Sequence, residues 1–472
     1  MNKTAITLSP GSTVHLIGIC GTGMGALAGL LVDAGYRVSG SDAGIYPPMS
    51  TQLEQRGIEI SVGYGAHNLA HRPDLVVVGN ICRPEHPEAV AAAEMGLRIA
   101  SMPAVVRDLL LKGKRPIVIA GTHGKTTTTS LTATLLDAAG LHPSVLVGGV
   151  AANFGTGARL DNGPHFVIEG DEYDSAFFEK QAKFLSYEPD ALVVTSVEHD
   201  HIDIYPTFEA YQDAFAQLVR LVRSGPIAVW AGSDAACGLM KGAAVEVVPY
   251  AAASDHCAVP PRLLARPTSN QAFRLIMDGA DLGLFQTPLR GVHNLRNTLA
   301  ALAMAHLYAK VDIAALARCL PLFRGVARRQ ELVATVRGVH VYDDFAHHPT
   351  AVRETLLALR GAHPTSKLIA AFEPRSATAC RKLHQDAYAE AFEAADHAIL
   401  APVGRDLPED SRLDTTSLAA AIANRGTEAV AAKTLEEVIE RIAERVGPGD
   451  VVVLLSNGAF GDLRRRVPEA LS

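Results

Sequence analysis

The stretch PIVIAGTHGKTTTTS, Pro116–Ser130, constrains this chain more than any other part of it. The apolar run Pro116–Ala120 predicts a buried strand, a glycine-flanked loop follows, and Lys125 with four threonines opens a helix. That order surrounds a phosphate with backbone N–H groups and a lysine. The full phosphate-loop pattern is G-x-x-x-x-G-K-[ST]. Here the loop reads GTHGKT, with Gly121 two residues later than the pattern demands. The physical parts remain: backbone around Gly124, Lys125 for β/γ-phosphates, and the Thr126 hydroxyl for Mg2+. The bland alternative is a surface lysine at a helix start. The strand before it and the hydroxyl after it argue against that.

At 472 residues the chain is too long for one ordinary core, which predicts roughly two to four domains. A net charge of −7 gives no sign of nucleic-acid binding, which favours a basic surface. It leaves room for anionic small substrates held by local arginines and N–H groups. The six cysteines, Cys20, Cys82, Cys237, Cys257, Cys319 and Cys380, form no C-x-x-C pair, so neither a disulfide framework nor a zinc ribbon is expected. No signal-peptide pattern and no apolar run of membrane-spanning length is evident, and a cytoplasmic location is the default expectation.

Strand-like and helix-like segments alternate in three blocks, which predicts α/β domains with parallel sheets. The boundaries are placed at 1–110, 111–322 and 323–472. In the first block TVHLIGI, YRVSGSD and DLVVVGN read as strands around the helix MGALAGLLVDAG. In the second, FRLIMDGADLGLF alternates about Asp278-Gly279 and predicts a hairpin. TFEAYQDAFAQLVRLV and NLRNTLAALAMAHLYA read as helices. The third block runs from GVHVYDDF to DVVVLLSNG and repeats the alternation.

Two further constellations carry chemistry. In GICGTGMGA, Gly21, Gly23 and Ala26 fit G-x-G-x-x-A, with Gly18 opening a second register in which Cys20 replaces the middle glycine. Asp42 follows the next strand, where a ribose-binding acid would lie. The turn favours a nucleotide diphosphate over a ligand-free strand–helix turn, without saying which nucleotide. In HFVIEGDEYD and LVVTSVEHDHID, acids and histidines follow apolar runs: Glu169 in one, Glu198, Asp200 and His201 in the other. Parallel strands would bring them to the rim that carries Lys125 and Thr126, with carboxylates suited to Mg2+. His199-x-His201 alone is a weak zinc signal.

With these residues in place the chain resembles the Mur ligases of bacterial cell-wall synthesis along essentially its whole length. The resemblance is carried by AGTHGKTTTT, EGDEYDSAFF, EHDHIDIY, GVHNLRNTLAAL, ARRQE, YDDFAHHPT and LSNGAFGD. It implies N- and C-terminal Rossmann-like domains flanking a central P-loop-type ATPase domain. The first turn, with Gly18, Gly21, Gly23, Met24, Asp42 and Asn80, would hold a UDP-sugar. Gly121, Thr122, His123, Gly124, Lys125, Thr126 and Thr127 would hold the ATP phosphates, Asn294 and Asn297 would lie near the adenine, and Arg329 and Asp344 would close on ATP. Thr126, Glu169 and His201 would be the metal ligands. Phe215 and Ala216 stand where several members carry a carbamylated lysine.

The implied reaction is ATP-driven amide formation on UDP-N-acetylmuramate through an acyl phosphate. Two branches compete for the amine. One takes L-alanine. The other takes the murein tripeptide L-Ala-γ-D-Glu-meso-diaminopimelate in peptidoglycan recycling, and GSDAGIYPPMSTQLE, VVVGNICRPEHPE, DEYDSAFFEKQAKFLSY and FEPRSATACR resemble it more. Arg375 and Arg381 would bind peptide carboxylates by paired hydrogen bonds, the alternative being exposed surface charges. His348, His347 and His199 are candidates for the general base, although His347 and His348 could equally be structural. A P-loop hydrolase leaves the first turn and third block unexplained, and a nicotinamide-dependent dehydrogenase leaves Lys125 without a role.

Overall fold

A computed structural model describes residues 5–45, 49–80 and 82–472; parts of the GSDAGIYPPMSTQLE and VVVGNICRPEHPE stretches lie outside these. Three sheets follow one another along the chain. The first has five parallel strands in the order Glu59–Val62, Arg37–Asp42, Thr13–Ile17, Leu75–Val78, Ile99–Ser101. Its order reverses between Thr13–Ile17 and Leu75–Val78, and a crevice opens at such a switch point, beyond the carboxyl ends of the strands. The glycine turn Gly18–Gly21 lies there and leads into the helix Thr22–Asp33.

The second sheet has ten strands, with Arg115–Ala120 between Ala191–Val194 and His165–Gly170 and parallel to both. Every residue of Ala191–Val194 is buried, as expected of a strand covered on both faces. The loops leaving all three strands therefore open on one rim. The predicted hairpin is present: Ala272–Met277 pairs antiparallel with Ala280–Gln286, and Asp278 and Gly279 turn with φ of 49° and 84°. Both positive values suit a two-residue turn that follows the twist of the strands.

The helix Lys125–Ala138 is rich in threonine, a residue of modest helix propensity, yet most of it is buried. Its hydroxyls solve part of the burial problem locally, while Thr128 Oγ1 and Ser130 Oγ are buried with no hydrogen-bond partner among the described residues. Thr129, Thr132 and Thr134 donate to the carbonyls of Lys125, Thr128 and Ser130 at 2.7–2.8 Å.

The third sheet orders Glu331–Val336, Val339–Asp344, Val451–Leu455, Leu368–Phe372, His397–Leu400 and Glu428–Ala431. All neighbours are parallel except the first pair, which is antiparallel. This edge strand was not expected from the alternating pattern. ELVATV is half-exposed and reads as ordinary loop sequence before GVHVYDDF. Arg329, in the segment entering it, reaches the Thr126 hydroxyl at the start of the central helix.

Candidate active site

Between the second and third sheets lies a cavity of ≈760 Å3 whose walls include His123, Gly124, Asn294, Asn297, Arg329 and Asp344. The phosphate loop forms its floor. Gly121 has φ +131°, and a Cβ there would lie 2.1 Å from Thr195 Oγ1. Gly124 has φ +80°, and a Cβ there would lie 2.3 Å from Asn297 Oδ1. Both glycines are required by backbone conformation and by close approach at once. Asn297 Nδ2 donates to Asn294 Oδ1 at 3.0 Å, and Asn294 Nδ2 to the Arg290 carbonyl at 2.8 Å, which holds both amides against the loop.

Lys125 Nζ donates to the Gly121 carbonyl at 2.7 Å and lies 2.9–3.0 Å from both oxygens of Glu172. Burial alone would lower the Lys125 pKa, but Glu172, Asp171 and Glu169 outweigh it and raise it. The ammonium is therefore charged when the loop works. Burial alone would raise the Glu172 carboxyl, but Lys125 and His201 hold it at about 2. Glu172 was not singled out in the sequence, because EGDEYD offers four acids and only the turn after His165–Gly170 selects one of them.

His201 gives its Nε2 to Glu172 Oε1 at 2.8 Å. Burial works to lower its pKa, and the hydrogen bond and charge of Glu172 reverse this and raise it. His199 is spent elsewhere: its Nε2 meets the Tyr205 carbonyl at 3.0 Å. The His199-x-His201 pair is thus split between two partners.

The Thr126 hydroxyl donates to Glu169 Oε1 at 2.8 Å and accepts from Arg329 Nη2 at 3.1 Å. Glu169 Oε2 accepts from the Gly148 N–H at 2.7 Å. Burial and then Asp171 push the Glu169 carboxyl up. The Glu169 carboxylate and the Thr126 hydroxyl bonded to it are an all-oxygen donor pair, and the pair fits Mg2+. Phe215, at the position of the carbamylated lysine, is fully buried against Phe184 and Tyr211 with ring centroids 5.1 Å apart, so this helix face presents no carbamate.

The C-terminal domain closes the cavity. Asp344 accepts from the N–H groups of Gln330 and Ala346 at 2.7 and 2.8 Å, fixing the turn that carries Arg329. Thr350 Oγ1 donates to Glu198 Oε2 at 2.7 Å, across the domain junction. His348 caps the helix Pro349–Ala362, and burial pushes its pKa down to about 3, while burial pushes that of His347 to about 4. Both are neutral imidazoles at neutral pH. Thr122 and Thr127 complete the loop: Thr122 Oγ1 donates to the Glu198 carbonyl at 3.0 Å, and Thr127 is buried along the cavity wall.

Arg375 is exposed beside Glu373, 3.6 Å away, and the backbone of Arg381 pairs with that of Arg412 in an isolated antiparallel bridge, while the buried Arg381 Nε lacks a hydrogen-bond partner among the described residues. In the first domain, the Gly18 N–H donates to the Ser41 carbonyl at 2.8 Å. Asp42 accepts from the Cys20 and Gly44 N–H groups at 2.9 and 3.1 Å. That carboxylate shapes the glycine turn directly. Gly21 is the N-cap of the following helix, Gly23 and the buried Met24 lie in its first turn, and the exposed Asn80 follows the neighbouring strand across the switch point.

Comparison with known proteins agrees with this arrangement. Residues 13–113 match the Mur ligase family catalytic domain, 119–305 the Mur ligase middle domain, and 328–458 the Mur ligase glutamate ligase domain. The chain is 36% identical to the UDP-N-acetylmuramate–L-alanyl-γ-D-glutamyl-meso-2,6-diaminoheptandioate ligase of Escherichia coli K12, covering 97% of this chain and 98% of that protein. It is 30% identical to the UDP-N-acetylmuramate–L-alanine ligase of Desulforamulus reducens, covering 97% of each. The crystal structure of a murein peptide ligase from Psychrobacter arcticus 273-4 superposes with a TM-score of 0.72 at 33% identity, covering 98% of this chain and 99% of that one. Among the described residues no helix is long and apolar enough to cross a membrane. With three successive domain matches, full-length relatives and a phosphate loop closed by the third domain, the chain belongs to the Mur ligase family and is an ADP-forming ligase.

Proposed function

We propose that this ligase joins the tripeptide L-Ala-γ-D-Glu-meso-diaminopimelate to UDP-N-acetylmuramate at the expense of ATP, in murein recycling. The observation that carries the reading is the Lys125 site shared by two domains: Thr126 and Glu169 from the central domain, Arg329 from the segment entering the third. The full-length likeness to the E. coli enzyme supports the choice of amine. The DEYD run and FEPRSATACR segment support it from the sequence.

In this reading the lactyl carboxylate attacks the γ-phosphorus, ADP leaves, and the peptide amine displaces phosphate from the resulting acyl phosphate. Two anions must meet in the first step, so the protein's work is charge neutralisation and positioning. Lys125 and Arg329 supply fixed positive charge from opposite domains. Thr126 and Glu169 would hold Mg2+, which when bound supplies further positive charge against the phosphates. His201, hydrogen-bonded to Glu172 at 2.8 Å, fixes the carboxylate that holds Lys125. His347 is neutral and its Nδ1 donates to the Phe345 carbonyl at 3.1 Å, which leaves Nε2 as the lone-pair nitrogen, so it is the imidazole assigned to accept the amine's proton. Gly18, Gly21, Gly23, Met24, Asp42 and Asn80 frame the UDP site, and Arg375 and Arg381 receive the peptide carboxylates.

L-alanine is the second reading, because L-alanine ligases also match nearly the full chain. Purified protein is mixed with ATP, Mg2+ and UDP-N-acetylmuramate plus either amine, and phosphate release and the mass of the UDP product are followed. Tripeptide-dependent phosphate release with a UDP-muramoyl-tripeptide product is expected. Turnover with L-alanine alone moves the chain to the other branch, and ATP turnover independent of both amines overturns the reading.

A further inference from the structure

Three potential ligands meet where the phosphate loop touches the C-terminal domain. His123 comes from the loop, Glu198 from the segment after Ala191–Val194, and His348 from the cap of Pro349–Ala362. Glu198 Oε2 lies 3.3 Å from His123 Nε2 and 3.7 Å from His348 Nδ1, and one donor atom from each residue lies within 4.8 Å of the others. The two imidazoles face each other with centroids 4.7 Å apart.

We propose that His123, Glu198 and His348 bind a borderline-soft divalent cation of the Zn2+ class, which clamps the C-terminal domain onto the phosphate loop. A tetrahedral centre with bonds of about 2.0–2.1 Å needs donor atoms roughly 3.3–3.4 Å apart, so two of the three edges are already near that spacing. Two imidazoles and one carboxylate with an open fourth position are a zinc donor set, while Mg2+ prefers oxygen ligands and stays with Thr126 and Glu169. Burial works to raise the Glu198 carboxyl, but His123 outweighs it and holds the group at about 2, so it is ionised. Burial leaves His348 neutral, the form that ligates. His348 is only 7% exposed, and its Nδ1, the nitrogen that faces Glu198, accepts only a long 3.4 Å hydrogen bond from the Thr350 N–H. The Thr350 hydroxyl, donating to Glu198 Oε2, orients the carboxylate as an outer-shell partner does. Because two ligands belong to one domain and the third to the other, the ion binds the closed arrangement alone and stabilises it by mass action.

The site does not depend on which amine the enzyme uses, and it is tested without nucleotide or substrate. The full chain is titrated with Co2+ in excess Mg2+, reading visible d–d absorption, then with Zn2+ as competitor and by thermal melting. One saturable Co2+ per chain, displaced by Zn2+, with a raised melting temperature, is expected. His123→Gln and His348→Gln, one in each domain, should each weaken binding by more than about 100-fold, beyond the loss of an outer-shell partner. His201→Gln should leave it unchanged. Absence of a saturable Co2+ complex overturns the site, as does a complex that survives both His123→Gln and His348→Gln or is lost in His201→Gln. Should one glutamine variant fail to fold, the other decides.

Discussion

Glu172 holds Lys125 from below: both of its carboxylate oxygens lie 2.9–3.0 Å from Nζ, and the side chain is fully buried. The pair makes the phosphate-loop lysine a fixed charge before any nucleotide arrives. It also ties the loop to His201, whose Nε2 shares Glu172 Oε1. Lys125 and the histidine assigned to the metal by resemblance are thus joined through one acid.

Glu172→Gln should therefore damage both stability and catalysis. Removing one partner of a buried ion pair leaves the other uncompensated and costs about 3–5 kcal/mol. Glu172 is held near 2, below its ordinary value of 4.5. A depressed carboxyl stabilises the fold above its unfolded pKa and loses that contribution as pH falls toward about 2. The wild type should lose this term between roughly pH 4.5 and pH 2, and Glu172→Gln should lack it throughout. Denaturant unfolding of both proteins across that range measures it. Lys125→Ala should cut kcat by about 10²–10³-fold, the loss typical of a preorganised charge in the reaction centre.

Arg329 tests whether the third domain completes the site. Its Nη2 reaches Thr126 Oγ1 at 3.1 Å, and its guanidinium lies over the Phe345 ring with the centroid 4.8 Å away. Arg329→Lys keeps the charge but loses the planar stacking and fork, so it is not conservative here. Both Arg329→Lys and Arg329→Ala should raise KM for ATP and lower kcat/KM, the alanine variant by about 10²-fold or more. Steady-state kinetics with varied ATP separate this from a peptide-site defect, which would leave KM for ATP unchanged.

The phosphate loop, the Asp278-Gly279 hairpin and the alternation of strand and helix were legible because each is local: spacing within a few residues decides them. Glu172 was not, since EGDEYD places several acids within one turn and only the sheet order brings one under Lys125. The strand Glu331–Val336 escaped notice because its pairing partner, not its own burial, makes it a strand. Glu198 stood out as an acid on the rim, yet its contacts with Thr350 and His348 span some 150 positions, and no sequence period reports a contact of that range. Asp42 was read as a ligand acid, and its observed bonds to the turn's own N–H groups are the kind of local partner that sequence spacing cannot separate from a ribose.

The buried histidines make stability pH-dependent in a defined direction. His347 and His348 are lowered from 6.5 to about 4 and about 3, chiefly by burial. Between those values and about 6.5 the unfolded chain binds protons that the native one does not, so stability falls as pH falls, by about 1.4 kcal/mol per pH unit for each histidine. His201 has the opposite sign: its raised pKa gives stability below 6.5 that is lost as pH rises. Unfolding of the C-terminal domain followed from pH 7 to pH 5 should show the loss. His348→Gln should reduce the slope by about 1.4 kcal/mol per unit.

Two glycines with nearly the same backbone separate conformational cost from contact. Gly124 has φ +80° and a Cβ there would lie 2.3 Å from Asn297 Oδ1; Gly140 has φ +79° and a Cβ there would meet nothing within 4 Å. An alanine at either position incurs the left-handed backbone cost of about 1–2 kcal/mol. Only Gly124→Ala must also displace Asn297, and with it the amide pair that abuts the phosphate loop. Gly140→Ala should therefore lower the melting temperature with KM for ATP unchanged. Gly124→Ala should lower it further and raise KM for ATP by about tenfold or more, a loss of at least about 1.4 kcal/mol in binding. Melting curves and ATP titrations on the two variants give the comparison. Equal effects on KM would show that Asn297 and Gly124 are not coupled through the nucleotide site.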